Sequence, residues 1–255
     1  MAPTQALKMA RRRIADPADD ERERVHLPAV DDSESSESSV DDKQAGDEAD
    51  EWPSGLVAVG GTLDPDRLLA AYRLGIFPWS SDPVLTWWSP DPRAVFDLQT
   101  FRPHRTVGRT ARRCGWRFTV DRDFAGVMRG CAAETSDRPG TWITEDFIRS
   151  YSELHRRGHA HSIEVYEGDE LIGGLYGVAI GGFFGGESMF HRRTDASKAA
   201  VSFLVQRLRA GGFLLLDAQM PTPHLERLGA TTIPRDQYMS QLRRALGAPA
   251  TLTGE

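Results

Sequence analysis

Cysteine is scarce. The 255 residues hold two, Cys114 and Cys131, with no paired-ligand spacing. That pattern builds neither a disulfide framework nor a thiolate metal site, and a reducing cytoplasm is the expected compartment. Long apolar runs are also missing. None approaches the ~20 residues of a membrane span, so no membrane partner is expected. Arg11-Arg12-Arg13 lies near the start without a following apolar stretch, and no signal peptide is expected. A basic surplus is missing too, since the formal net charge is −6. The deficit is local: residues 1–50 hold 7 Lys/Arg against 14 Asp/Glu, and residues 51–255 hold 24 against 23. The near-neutral remainder does not exclude an anionic ligand. Residues 1–50, with Ser33-Glu34-Ser35-Ser36-Glu37-Ser38-Ser39, have little to bury and read as a disordered acidic tail.

Tryptophan is what the chain does have. Trp79, Trp87 and Trp88 are three of its six, and they fall within ten residues. Pro78, Pro83, Pro90 and Pro92 forbid a continuous helix there. Flat rings on stiff backbone suit either core filling or the stacking of a base, and both roles are open.

Helix and strand signals follow. Asp64-Pro65-Asp66 reads as a helix start, with Gly75 as its end. A helix over 103–113 puts Arg105, Arg109, Arg112 and Arg113 on one face. A solvated face and a phosphate-backbone site both fit that stripe. Thr144 is expected to cap a further helix that ends at Gly158. His161–Tyr166 and Leu171 onward read as a hairpin. Seven glycines between 173 and 186 imply close backbone approach, a bulge or a bend. A helix over 196–210 leads to a buried strand, Phe213 to Leu216, that runs into Asp217-Ala218-Gln219. Alternation places Asp217 and Gln219 on one face of that strand. Thr222-Pro223 opens a short helix, and a last one spans 235–246. The sum is an α+β or α/β sheet covered by helices.

Several blocks, taken together and in order, resemble the leucyl/phenylalanyl-tRNA–protein transferases. They are Gly60-Gly61-Thr62-Leu63, Gly75 to Trp79, Trp87 to Arg93, Gly140 to Thr144, His159 to Ser162, Gly173 to Gly177, Glu187 to Phe190 and Asp217-Ala218-Gln219. The resemblance covers about residues 52–245. It implies an α+β protein with a small N-terminal α/β domain at 51–93 and an acetyltransferase-like (GNAT) catalytic domain at 94–247; the acidic tail at 1–50 has no counterpart in the family's core, and a short tail is expected at 248–255. The implied activity moves Leu or Phe, and less readily Met, from aminoacyl-tRNA to the N-terminal Arg or Lys of proteins. The product is marked for N-degron degradation. The implied partners are Leu-tRNA, Phe-tRNA and such proteins, the enzyme is expected to be a monomer, and neither cofactor nor metal is expected.

Site roles carry over by position. Asp217 and Gln219 are the implied catalytic pair, and Glu187 receives the basic N-terminal residue of the acceptor. Leu175, Phe184, Met189, Val201, Leu204 and Leu216 form the aminoacyl pocket. Trp79 and Trp142 hold the tRNA's 3′-adenosine, and Arg105, Arg109, Arg112 and Arg113 meet the acceptor stem. Trp87 and Trp88 are expected to pack the small domain. Aminolysis of an ester by an α-amine of pKa near ~8 needs orientation more than a strong base. An amide such as Gln219 can aim the amine's lone pair, and Asp217 can orient Gln219 and help remove a proton. A structural role for that polar strand end also fits. Two other functions compete. An acetyl-CoA-dependent acetyltransferase needs a glycine-rich pyrophosphate loop before the 196–210 helix, and His191 to Lys198 lacks one. A non-catalytic RNA-binding module would have no need of Asp217, Gln219 and Glu187.

Overall fold

In the computed structural model, residues 54–81, 84–103, 105–134 and 140–252 are described. The tail expected over 1–50 lies outside them. Their elements, in chain order, are β1 (Leu56–Val59), α1 (Pro65–Arg73), β2 (Phe77–Ser81), β3 (Val84–Trp88), β4 (Arg93–Phe96) and α2 (Arg105–Arg113). They continue with β5 (Arg117–Val120), α3 (Phe124–Ala132), α4 (Glu145–Arg156), β6 (Ala160–Glu167), β7 (Glu170–Ile180), β8 (Phe183–His191) and α5 (Ala196–Ala210). The last are β9 (Leu215–Gln219), α6 (Pro223–Arg227), β10 (Thr231–Ile233) and α7 (Arg235–Leu246).

Local chemistry sets the element ends. Asp64 accepts from the N–H groups of Asp66 at 3.0 Å and Arg67 at 3.2 Å, and Pro65 takes the first helical position of α1. Gly75 closes α1 at φ +72°, and a Cβ there would meet Met239 and Tyr238 of α7. Thr222 caps α6 by accepting from Leu225 N–H. Thr144 stands at the N-cap of α4 but makes no side-chain capping bond, unlike the expectation.

Two sheets result. β1, β3 and β2 form a small antiparallel sheet. The large sheet has the order β10-β4-β9-β8-β7-β6-β5 and is antiparallel except for the pair β8–β9. A parallel pair needs a crossover, and α5 supplies it. Alternation along β7 separates the two faces: Gly173 and Leu175 meet α5 and its apolar cluster, while Gly174 and Tyr176 meet α3. Both faces are therefore helix-covered, and the strands read as apolar runs. The expected α+β architecture, with a separate N-terminal sheet, is the one found.

The glycine-rich stretch forms β7, β8 and the turn between them. β8 carries a bulge, with Glu187 as the extra residue against Tyr176 and Gly177 of β7, and a Cβ on Gly177 would lie 2.3 Å from the Gly185 carbonyl oxygen. No larger residue permits that approach. One expected strand is shifted: β9 begins at Leu215, and Leu214 is 45% exposed.

Candidate active site

β8 and β9 pair at Phe183↔Leu215, Phe184↔Leu216 and Gly185↔Asp217, and their ladder ends there. Two residues further on, side chains take over from backbone. Gln219 Nε2 donates to Glu187 Oε1 at 2.8 Å. Beside this bridge lies a cavity of about 250 Å³. Leu175, Met189, Val201, Leu204 and Leu216 line it together with Phe96, and Glu187, Asp217 and Gln219 add the polar part. Apolar walls with a few convergent polar groups are the usual form of a small-ligand site.

Gln219, the last residue of β9, does not have strand dihedrals. Its φ is +64°, in a region that non-glycine residues rarely adopt, and β9 bulges just before it, with Ala218 as the extra residue against Ala94 and Val95 of β4. This overturns the simple alternation argument. Asp217 and Gln219 point to different partners, although both reach the cleft. The backbone N–H of Gln219 donates to Asp217 Oδ1 at 2.8 Å. Asp217 is 1% exposed and paired with the equally buried Arg93. Arg93 Nε donates to Oδ1 at 2.9 Å and Nη2 to Oδ2 at 2.6 Å, while Tyr238 OH donates to Oδ2 at 2.9 Å.

Glu187 is half-buried at the other end of the bridge. Tyr151 OH donates to its Oε2 at 3.3 Å, and the Tyr151 and Tyr72 hydroxyls lie 2.5 Å apart. Burial pushes the Glu187 carboxyl up from its ordinary 4.5 to about 8; hydrogen bonds from Tyr72, Tyr151 and Gln219 oppose that shift, and the charge of Asp217 adds to it. The group therefore holds a proton at neutral pH when the cleft is empty. Burial, then the charge of Glu187, keeps Tyr151 and Tyr176 protonated well above the usual phenol range.

Aromatic contacts lead outward from Glu187. Tyr151 stacks on Phe147, Phe147 meets Trp142 edge-on, and Trp142 contacts Trp79 with ring centroids 5.6 Å apart and tilted by 40°. Both tryptophans are half-exposed. Trp87 and Trp88 are buried, with Nε1 donating to the Gly60 carbonyl at 2.9 Å and to Thr86 Oγ1 at 2.9 Å. On the far rim sits His224, where burial and then the charges of Arg227, His191 and Lys198 lower the imidazole pKa.

With this geometry in view, sequence comparison is decisive. Residues 95–243 match the family "Leucyl/phenylalanyl-tRNA protein transferase", and residues 61–91 match that family's N-terminal domain. The chain belongs to this family. A leucyl/phenylalanyl-tRNA–protein transferase of Shewanella denitrificans is 53% identical over 192 residues, covering 74% of this chain and 81% of the relative. One from Shewanella baltica is 53% identical over 206 residues, covering 79% and 86%. A solved structure of L-PGS from Bacillus licheniformis aligns over 71% of this chain and 62% of that one, with 12% identity and a TM-score of 0.40. The protein is an aminoacyltransferase, with aminoacyl-tRNA and protein as its substrates.

Against that membership, the structure sorts the expected transferase residues. It brings Asp217, Gln219, Glu187 and five of the six pocket residues to one cleft. Phe184 is fully buried and does not line the cavity. Trp79 and Trp142 meet although 63 positions separate them in the chain. Arg105, Arg109, Arg112 and Arg113 are all exposed on α2, which buries Val107 and Ala111. Among the described residues none of the four has a carboxylate partner.

Sequence reasoning missed Arg93, Tyr238, Tyr72 and Tyr151. A signal for Arg93 existed. It begins an apolar strand, Arg93-Ala94-Val95-Phe96, as Asp217 follows another apolar run, Phe213 to Leu216, and charges on buried strands require each other.

Proposed function

We propose that this transferase moves Leu or Phe, and less readily Met, from tRNA to the N-terminal Arg or Lys of proteins. The observation that carries this reading is the Glu187–Gln219 bridge beside the apolar cavity. The aliphatic or aromatic side chain of the donor enters the cavity, where Leu204 and Val201 limit its size. Its ester stands at the Gln219 end. The acceptor's basic side chain meets Glu187, which gives up its proton to form a charge-assisted pair.

Gln219 then aims the attack. Its Nε2 is held by Glu187, so Oε1 is the amide atom left to accept from the acceptor's α-amine. The amine nitrogen bonds to the ester carbonyl carbon, the bond to the tRNA ribose oxygen breaks, and the proton lost by the amine ends on that oxygen. Orientation supplies most of the acceleration, because an α-amine of pKa ~8 already has a neutral fraction at pH 7. The adenosine lies on the Trp79–Trp142 pair, where stacking contributes ~1–3 kcal/mol. The rings touch, so a base rests on the pair or parts it. The acceptor stem runs along the α2 arginines.

The enzyme acts as a cytoplasmic monomer, and its products enter N-degron degradation. Among the described residues no helix is long and apolar enough to cross a membrane. An acetyl-CoA enzyme fits less well. Asp195 occupies the start of α5, where it binds Lys198 at 2.7 Å and would repel a pyrophosphate. Labelled Leu-tRNA and a peptide beginning with Arg test the reading: the peptide acquires Leu, and Gln219→Ala suppresses it. Absence of product with tRNA binding intact would sink it, as would acylation of the peptide from acetyl-CoA.

A further inference from the structure

We propose that Arg93 and Tyr238 are positioning residues for the transfer: they fix Asp217, and through it the backbone of Gln219. The proposal rests on the aminoacyl-transfer reading and names how its key amide is held.

An ionised carboxylate has about four lone-pair sites. All four of Asp217 are in use: Oδ1 accepts from Arg93 Nε and Gln219 N–H, and Oδ2 from Arg93 Nη2 and Tyr238 OH. The two-pronged guanidinium contact favours the anion, and Asp217 is only 1% exposed. A carboxylate so engaged is a poor proton acceptor. It is a good anchor. One of its four bonds goes to the N–H of the residue at φ +64°, so the anchor acts where the chain leaves strand conformation.

Arg93 is itself fixed from four directions. Nη1 donates to the Gly75 carbonyl at 3.0 Å, and the guanidinium lies over the rings of Phe77 at 4.8 Å and Tyr238 at 4.5 Å. Gly75 ends α1, Phe77 begins β2 of the small sheet, Tyr238 lies on α7 and Asp217 on β9. The cluster thus ties three separate elements to the place where Gln219 turns. A buried ion pair adds little net stability over an apolar packing of the same volume. A pair that also holds a left-handed residue at the cleft has a positional use.

Steady-state kinetics with Leu-tRNA and an Arg-peptide test this. Tyr238→Phe keeps the ring over Arg93 and removes only the hydroxyl. It lowers kcat about tenfold with both KM values unchanged, the loss expected for one hydrogen bond to a charged group. Asp217→Asn keeps an oxygen for the Gln219 N–H, so its kcat stays well above that of Gln219→Ala and the pH–rate profile keeps every limb of the parent. Loss of a limb in Asp217→Asn, or an unchanged kcat in Tyr238→Phe, overturns the proposal. If Asp217→Asn does not fold, Tyr238→Phe carries the kinetic test. Hydrogen exchange at the Gln219 amide gives a readout apart from activity: it is slow in the parent and quickens in Asp217→Ala. Should the parent transfer nothing, the proposed function fails while the exchange measurement still judges the anchor.

Discussion

At the residue scale, two side chains make sharp predictions. Leu204 is 2% exposed and lines the cavity. Leu204→Ala enlarges the pocket, and competition between Phe-tRNA and Leu-tRNA should shift toward Phe. Because a methylene is worth ~1–3 kcal/mol in such a pocket, the kcat/KM ratio is expected to move by about tenfold or more. Glu187, with its pKa near 8 in the empty cleft, must lose a proton to meet a cation. Binding of an Arg-peptide should therefore tighten as pH rises toward 8 and release a proton at pH 7. Calorimetry in two buffers of different ionisation enthalpy measures that release, and Glu187→Gln abolishes it. The residue types at this site were legible in sequence, as an acid, an amide and a set of aliphatic side chains. Their environments were not, since burial by Tyr72 and Tyr151 comes from α1 and α4, far away along the chain.

At the element scale, α2 is where periodicity worked best. Four arginines at helical spacing became four exposed guanidiniums over a buried Val107 and Ala111. Arg109→Ala with Arg113→Ala should weaken Leu-tRNA binding equally for all tRNA sequences. The slope of log affinity against log salt should fall by about one for each arginine that meets a phosphate. A slope unchanged from the parent would remove α2 from the tRNA path. Caps and turn glycines likewise marked α1 and α6 correctly, because those signals act over a few residues. β9 did not yield to the same logic. Its alternation fails at Gln219, where an N–H bond donated to Asp217 and a bulge at Ala218 interrupt the strand geometry.

At the scale of the whole molecule, the raised pKa of Glu187 links the site to stability. The folded state keeps the proton that the unfolded chain loses above about 4.5. The folded state binds more protons between that value and about 8, so this contribution is complete below pH 4.5 and fades as pH rises through about 8. Urea midpoints measured from pH 5 to 9 should decline more steeply for the parent than for Glu187→Gln, and equal slopes would refute the shift. The tryptophan run has its answer at this scale too. Trp87 and Trp88 are structural in the small sheet, while Trp79 leaves that sheet's core to meet Trp142. Sequence by itself determined the elements, the arginine face, the family and most of the cleft residues, because periodicity, capping and motif identity are properties of short segments. Only the tertiary structure decided that β8 and β9 part after Gly185 and Asp217, that Arg93 reaches Asp217 across 124 positions, and that Gln219 turns left-handed against Glu187. Those facts depend on which distant strands become neighbours, and that is settled by burying both sheet faces at once, not by any local preference.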